Sequence, residues 1–279
     1  MKVDYSGKTV VITGGSAGIG LEAAKLFGKS GANVAICGRN ASRLETALNE
    51  LKQWGIDAIG VRCDVADRAQ VFALADEAVQ NFGGIDVWVN NAGHTGRAGI
   101  VRATEEFCEQ ELGVNFKSAI WGSQAAFHYM CDKGGIIVNA SSYSAVTPSA
   151  GGGLYAASKA AVATLTKNLA SELGPYNIRV VGYMPGPVHT TLMDELMAAA
   201  CESQEAHLAR LTSSIALRRV GEAEEIAKLI VFLASDEAGF INGALIDISG
   251  GKLATQNIPA VWDKNNQSLY DKDDPVWQQ

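Results

Sequence analysis

Proline is scarce: six in 279 residues, with no Pro-rich linker to divide the chain. No apolar run approaches the ~20 residues that a membrane-spanning helix needs. Five cysteines (Cys37, Cys63, Cys108, Cys131, Cys201) are odd in number and widely spaced, and none forms a CxxC pair. That excludes a disulfide framework and points to reduced thiols. The four histidines are equally scattered, so no metal site is expected. Positive charge is short too: 23 Lys and Arg face 30 Asp and Glu, for a net charge of -7. That balance argues against a nucleic-acid or acidic-membrane partner. The opening Met1-Lys-Val-Asp-Tyr-Ser lacks the shape of a secretory signal, so a cytoplasmic location is expected.

What remains is 47% hydrophobic residues and 30 glycines, enough for one large core. Short β-branched runs alternate with amphipathic segments along the whole chain. Strands are predicted near 8–13, 33–37, 58–62, 85–89, 136–140, 177–183 and 244–248. Helices are predicted at about 41–54, 67–81, 107–129, 155–173 and 222–234, with another after Gly20. This alternation predicts α/β architecture: one doubly wound, seven-stranded parallel sheet (a Rossmann fold) in a single domain. We expect that domain to span 1–251, with a substrate loop at about 187–217 and a polar tail at 252–279. The tail, with Trp262, Tyr270 and Trp277, is either loosely ordered or packed on a neighbouring subunit.

The first strand runs into Gly14-Gly-Ser-Ala-Gly18-Ile-Gly20, followed by an apolar-periodic helix. Strand, glycine loop and helix together suit a pyrophosphate. The glycines allow close backbone approach, and the helix N-terminus offers free N–H groups. The second strand ends at Gly38-Arg39, where a βαβ unit meets the adenosine ribose. An acid there would select NAD. Gly38 cannot repel a 2′-phosphate and the Arg39 guanidinium can pair with one, so NADP(H) is favoured over NAD(H). Asp64 has two readings, a contact to the adenine or the cap of the next helix.

Tyr155-Ala-Ala-Ser-Lys159 opens an Ala-rich helix, so the phenol and the ammonium share one face. A cation beside a phenol is expected to lower its pKa. Upstream, a buried strand delivers Ser141 and Ser142 to its carboxyl end, the ligand-binding end of a parallel sheet. Taken alone, Tyr155 and Lys159 could be an ordinary helix pair. Asn115 sits inside the predicted 107–129 helix and needs a reason, either a water or neighbouring backbone. Gly151-Gly-Gly is read as a flexible loop rather than a close approach to substrate.

In this order the motifs resemble the short-chain dehydrogenase/reductase family. They are Thr13-Gly14-x-x-x-Gly18-Ile19-Gly20, Asn90-Asn91-Ala92-Gly93, Asn115, Ser142, Tyr155-x-x-x-Lys159 and Pro185-Gly186. The resemblance covers residues 7–251. It implies Tyr155 as general acid/base, Lys159 lowering its pKa and holding the nicotinamide ribose, and Ser142 on the substrate oxygen. Asn115 would hold a water in a proton relay. The implied catalytic set is Asn115, Ser142, Tyr155 and Lys159. The cofactor set is Gly14, Ser16, Gly18, Ile19, Gly20, Arg39, Asp64, Val65, Asn91, Ala92, Gly93, Tyr155, Lys159, Pro185, Gly186, Val188 and Thr190. Relatives also pair their long helices, which implies a homotetramer or homodimer. Ala17 stands where many NADP-dependent members carry Arg or Lys.

The resulting expectation is an enzyme interconverting a secondary alcohol and a ketone. Met193-Asp194-Glu195 is acidic, which favours a small or cyclic hydrophobic substrate over an acidic acyl carrier protein. The 3-oxoacyl-carrier-protein reductase reading is the alternative. A non-catalytic dinucleotide-binding regulator would have lost Tyr155, Lys159 or Ser142, and all three are present.

Overall fold

The structure, a computed structural model, describes residues 3–198 and 203–254. Seven parallel strands form one sheet in the order β3-β2-β1-β4-β5-β6-β7. They are β1 (Thr9–Ile12), β2 (Asn33–Gly38), β3 (Ala58–Arg62), β4 (Val87–Asn90), β5 (Gly135–Ala140), β6 (Ile178–Pro185) and β7 (Leu245–Ile248). The seven predicted strands are all present. Expectations that fell on Cys201 and on the tail beyond Ala254 lie outside the described residues.

Alternation along each strand splits the core in two. Val10 and Ile12 of β1 point to one face, under α1 (Gly18–Lys29), α2 (Ala41–Gln53) and α9 (Ala223–Ala234). Val11 and Ala35 point to the other, under α3 (Arg68–Phe82), α5 (Ser118–Met130) and α6 (Gly153–Leu173). Strands covered on both faces read as continuous apolar runs, which is why they were legible. Asp67 caps α3, accepting from Ala69 N at 2.8 Å. Such a cap stabilises a helix by about 1 kcal/mol.

The predicted 107–129 helix is three pieces. These are α4 (Glu105–Leu112), a π-helical turn at Gly113–Lys117, and α5. Periodicity alone could not show the break, because the chain enters and leaves the turn with helical backbone angles. The segment after β6 forms α7 (Thr191–Ala198) and α8 (Gln204–Ser213). Between them and the sheet, Val188–His189 pairs with Gly221–Glu222 in a short parallel ladder. No helix among the described residues is long and apolar enough to cross a membrane.

Strand β1 is flanked by β2 on one side and β4 on the other, so the strand order reverses there. Crossovers from the two neighbours leave in opposite directions and open a crevice at the strands' carboxyl ends. The site lies in that crevice.

Candidate active site

A cleft of about 490 Å³ runs across the carboxyl ends of the strands. One half is made of backbone. After β1 the chain turns through Gly14 (φ +66°) and Gly18 (φ +54°), left-handed conformations that favour glycine. A side chain on Gly14 would meet Ala92 Cα at 2.9 Å. One on Gly20 would collide with the Gly14 carbonyl oxygen and the Asn91 amide. Gly20 therefore sits behind the loop and lets α1 close against it, whereas Gly14, Ser16, Gly18 and Ile19 line the cleft. The N-cap residue Ala17 offers no side-chain hydrogen bond, and the first turn of α1 holds no acid. Its N–H groups and positive dipole end are left for an anion.

Asn91 locks this loop to β4. Its Nδ2 donates to Thr13 O at 3.0 Å and Gly14 O at 3.3 Å, and its Oδ1 accepts from Tyr183 Oη at 3.0 Å. Asn90 ties strands instead, donating to Asn139 Oδ1 at 2.9 Å. Ala92 and Gly93 line the cleft beside it. At the end of β2, a side chain on Gly38 would meet Ser16 Oγ at 2.6 Å, so an acid there would have to displace the hydroxyl. Arg39 and Arg43 both line this end of the cleft. Arg43, on the first turn of α2, is a second cation at this end, outside the glycine loop. Val65 lines the cleft, whereas the Asp64 carboxylate turns to Ala66 N at 3.0 Å. The helix cap is Asp67, not Asp64.

The other half is made of side chains. The π turn, the segment after β5 and α6 bring Asn115, Ser142, Tyr155 and Lys159 together. Lys159 is 4% exposed and donates to Ala140 O at 2.9 Å. Burial pulls its ammonium down to about 8, against an upward push from Glu111. Ser142 extends from β5, accepts from Ser144 N at 3.1 Å, and its hydroxyl bonds toward Tyr155. The expectation that Tyr155 would have a lowered pKa does not hold for the protein alone. Burial pushes the phenol up to about 12, with Ser142 pulling down and Tyr143 and Glu111 adding to the rise. The reason is geometric: Lys159 Nζ lies 5.8 Å from the Tyr155 ring centre and is turned to a carbonyl.

Asn115 is buried, and its amide is taken up by neighbouring backbone. Nδ2 donates to His94 O at 2.8 Å and Oδ1 accepts from His94 N at 3.0 Å. Contact to neighbouring backbone, one of its two readings, is present. Two groups had no motif to announce them. Glu111, four residues before Asn115, is fully buried and touches its amide at 3.2 Å. His94 follows Gly93 directly and lines the cleft. An acid one helical turn before a buried asparagine was the available signal.

Pro185, Gly186, Val188 and Thr190 form the far wall. A side chain on Gly186 would meet Ser249 Cα at 2.8 Å, so β6 and the turn after β7 close together there. Leu192, Met193, His207 and Leu211 from α7 and α8 cover the mouth. Gly152 lines the cleft, and α6 already begins at Gly153, so the triple glycine is partly helix rather than all loop.

A glycine loop at the sheet's switch point, facing Tyr155 and the buried Lys159, defines a dinucleotide-dependent alcohol/ketone oxidoreductase. The chain belongs to the short-chain dehydrogenase family, whose profile matches residues 8–200. It is 36% identical over 250 residues to 3beta-hydroxysteroid dehydrogenase 2 of Eggerthella lenta, covering 88% of this chain and 95% of that protein. It is 37% identical over 246 residues to the 3-oxoacyl-[acyl-carrier-protein] reductase FabG of Thermotoga maritima, covering 88% and 97%. A short-chain type dehydrogenase/reductase crystal structure from Mycobacterium marinum superposes with TM-score 0.84 at 33% identity, covering 90% of this chain and 98% of that one. The family binds a nicotinamide dinucleotide, and the cleft fits one: Gly14, Ser16, Gly18 and Ile19 line it with backbone, glycines let that loop pack closely on β4, and the uncapped helix end faces it.

Proposed function

We propose that the protein interconverts a secondary alcohol and a ketone with NADP(H), on a small or cyclic hydrophobic substrate. The observation that carries this reading is the convergence of Tyr155, Ser142 and Lys159 on the cleft that the glycine loop opens. Gly14, Ser16, Gly18 and Ile19 would hold the pyrophosphate, with Val65, Ala92 and Gly93 along the adenosine side. Pro185, Gly186, Val188 and Thr190 would hold the nicotinamide end. Bound there, the dinucleotide supplies or accepts the hydride and, when oxidised, brings a positive charge into the cleft. Tyr155 gives its proton to the substrate oxygen, or takes it in the reverse direction. Ser142 shares the charge that develops on that oxygen. Lys159, already loosened by burial, stabilises phenolate once that charge is needed.

Arg39, with Arg43 beside it and the Ser16 hydroxyl below, supports NADP(H) over NAD(H). For the substrate, the chain resembles proteins named for hydroxysteroids from Eggerthella lenta and Mediterraneibacter gnavus, which favours a cyclic alcohol or ketone. Reduction of a 3-oxoacyl carrier protein is the second reading, favoured by the Thermotoga maritima relative. Acidic Asp194 on α7 disfavours it, since an acidic carrier would be repelled. Residues 187–217 act as the substrate loop of a domain spanning 1–251. Half-buried Phe116, Ile120, Trp121 and Phe127 around α5 leave an apolar face that a second copy would cover, so a homotetramer or homodimer is expected. Free thiols at Cys37, Cys63, Cys108 and Cys131 suit a cytoplasmic enzyme.

The test is oxidation of NADPH and NADH by wild type and Tyr155→Phe against cyclic ketones, diketones and an acyl thioester. Turnover with NADPH should fall more than about 1,000-fold in the variant, with cofactor binding retained. Undiminished turnover would sink the acid/base assignment, and turnover with NADH alone would sink the role of Arg39.

A further inference from the structure

Glu111 is a buried acid near the cleft floor with no part in the reaction proposed so far. It ends α4 and is 0% exposed. A carboxylate persists in such a place only when it is partnered. Its Oε1 accepts from Gly96 N at 2.8 Å and lies 3.4 Å from His94 Nε2. Its Oε2 accepts from Asn115 Nδ2 at 3.2 Å. The point where a Gly93 side chain would begin lies 3.4 Å from Asn115 Oδ1 and 3.6 Å from Lys159 Nζ. Amide and ammonium therefore border one small polar space, and the carboxylate backs the amide. On the far side of the carboxylate, His94 keeps 31% of its side chain open and lines the cleft.

We propose that Glu111 and His94 form the proton outlet of the active site, connecting Lys159 to solvent. The proposal rests on the acid/base reading of Tyr155 and Lys159 given above. In ketone reduction the Tyr155 O–H bond breaks and its proton goes to the substrate oxygen as the carbonyl carbon accepts the hydride. The phenolate regains a proton through a bridging water, and that water is repaid from Lys159, whose N–H bond breaks to leave the amine. His94, drawing a proton from solvent, protonates the Glu111 carboxylate, an exchange open to an imidazole with two ring nitrogens. The carboxyl so formed passes that proton across one bridging water to the Lys159 amine and is left again as the carboxylate. One solvent proton enters for each ketone reduced, and in alcohol oxidation every transfer runs backward.

Burial supports the sequence of transfers. It makes Glu111 hold a proton more tightly than an ordinary carboxyl, although the Gly96 bond, His94 and Lys159 oppose the rise. It makes Lys159 hold one more loosely. The two proton affinities approach each other, which is what a relay needs. The titratable groups facing Glu111 are His94, from the loop after β4, and Lys159, from α6. Those facing Tyr155 are Glu111 and Tyr143, and Tyr183 on β6 lies beside it.

A carboxylate that only stapled α4 to the 94–96 loop would leave proton delivery untouched. Single-turnover rates, their pH profile and their solvent deuterium isotope effect should be measured for wild type, Glu111→Gln, His94→Ala and Tyr155→Phe. Glu111→Gln keeps the shape and an acceptor for Gly96 N. We expect its rate to fall about tenfold with a larger isotope effect and unchanged NADPH affinity. His94→Ala should fall comparably and be rescued by added imidazole. Wild-type rates, profiles and isotope effects in both variants would overturn the outlet. If Glu111→Gln does not fold, His94→Ala decides: rescue by imidazole supports the outlet, while no loss, or a loss without rescue, overturns it. Turnover retained in Tyr155→Phe would instead sink the underlying acid/base reading. An inactive Tyr155→Phe beside two wild-type-like outlet variants would sink this proposal alone.

Discussion

The two halves of the cleft are built by different means. The dinucleotide half is backbone: positive-φ glycines, an uncapped helix end and an asparagine that pins the loop to β4. The other half is ionisable side chains: buried Lys159 and Glu111 with Tyr155 beside them, drawn from α6 and α4. Backbone geometry fails sterically and nearly completely when a side chain intrudes. Buried charge fails by degrees, and with pH. The difference teaches that a substitution's signature, not only its size, reports which half it touches.

The comparison breaks first, if it breaks, at Gly20. Gly20→Val drives a branched side chain into the Gly14 carbonyl and the Asn91 amide. We expect dinucleotide binding to vanish and the thermal unfolding midpoint to fall, in line with a core overpacking cost of about 1–3 kcal/mol or more. A folded variant with normal NADPH binding would show that the loop is less constrained than its geometry demands. The charged half should answer differently. Lys159→Met is expected to lower kcat/KM about 100-fold while the fold survives, because a buried charge is replaced by an apolar chain of similar length.

Stability against pH sharpens the contrast. Folded Lys159 loses its proton near 8, against 10.5 for the ordinary side chain. Between those values the unfolded chain holds more protons, so stability rises with pH, by at most about 3 kcal/mol. Tyr155 has the opposite sign. Folded, it keeps its proton to about 12, against 10.0 ordinarily. Stability therefore falls as pH climbs beyond 10. Denaturant unfolding of the dinucleotide-free protein should show a maximum near pH 10, and Lys159→Met should lack the rising limb. A flat profile would mean that water reaches Lys159. The smallest effect is expected at exposed Arg39: Arg39→Ala should raise KM for NADPH about tenfold and leave NADH unchanged, read by initial rates with both cofactors. Equal changes with both would remove the 2′-phosphate argument.

Legibility followed the same division. The glycine loop, the Asn90–Gly93 segment and the Tyr155–Lys159 spacing were readable because each is a local pattern whose geometry follows from near neighbours. Glu111 was not. On α4 it follows Glu105, Glu106 and Glu109, and in sequence it is one more charge on a solvated helix face. Arg43 was hidden similarly, as a surface cation on the first turn of α2. The fall in Tyr155 pKa was expected from its neighbour in sequence, but the sign came from burial, which no spacing records.

Sequence by itself determined the class of fold, the strand and helix order, the dinucleotide loop and the tyrosine–lysine pair. These depend on period, on glycine freedom and on residues four apart, all short-range properties of the chain. Only tertiary structure decided that the 107–129 segment breaks into a π turn, that Glu111 lies buried against Asn115 and His94, and that Lys159 points to a carbonyl. Those outcomes depend on which segments the sheet brings together and which groups lose water in the process, and desolvation is a property of the assembled core rather than of any stretch of residues.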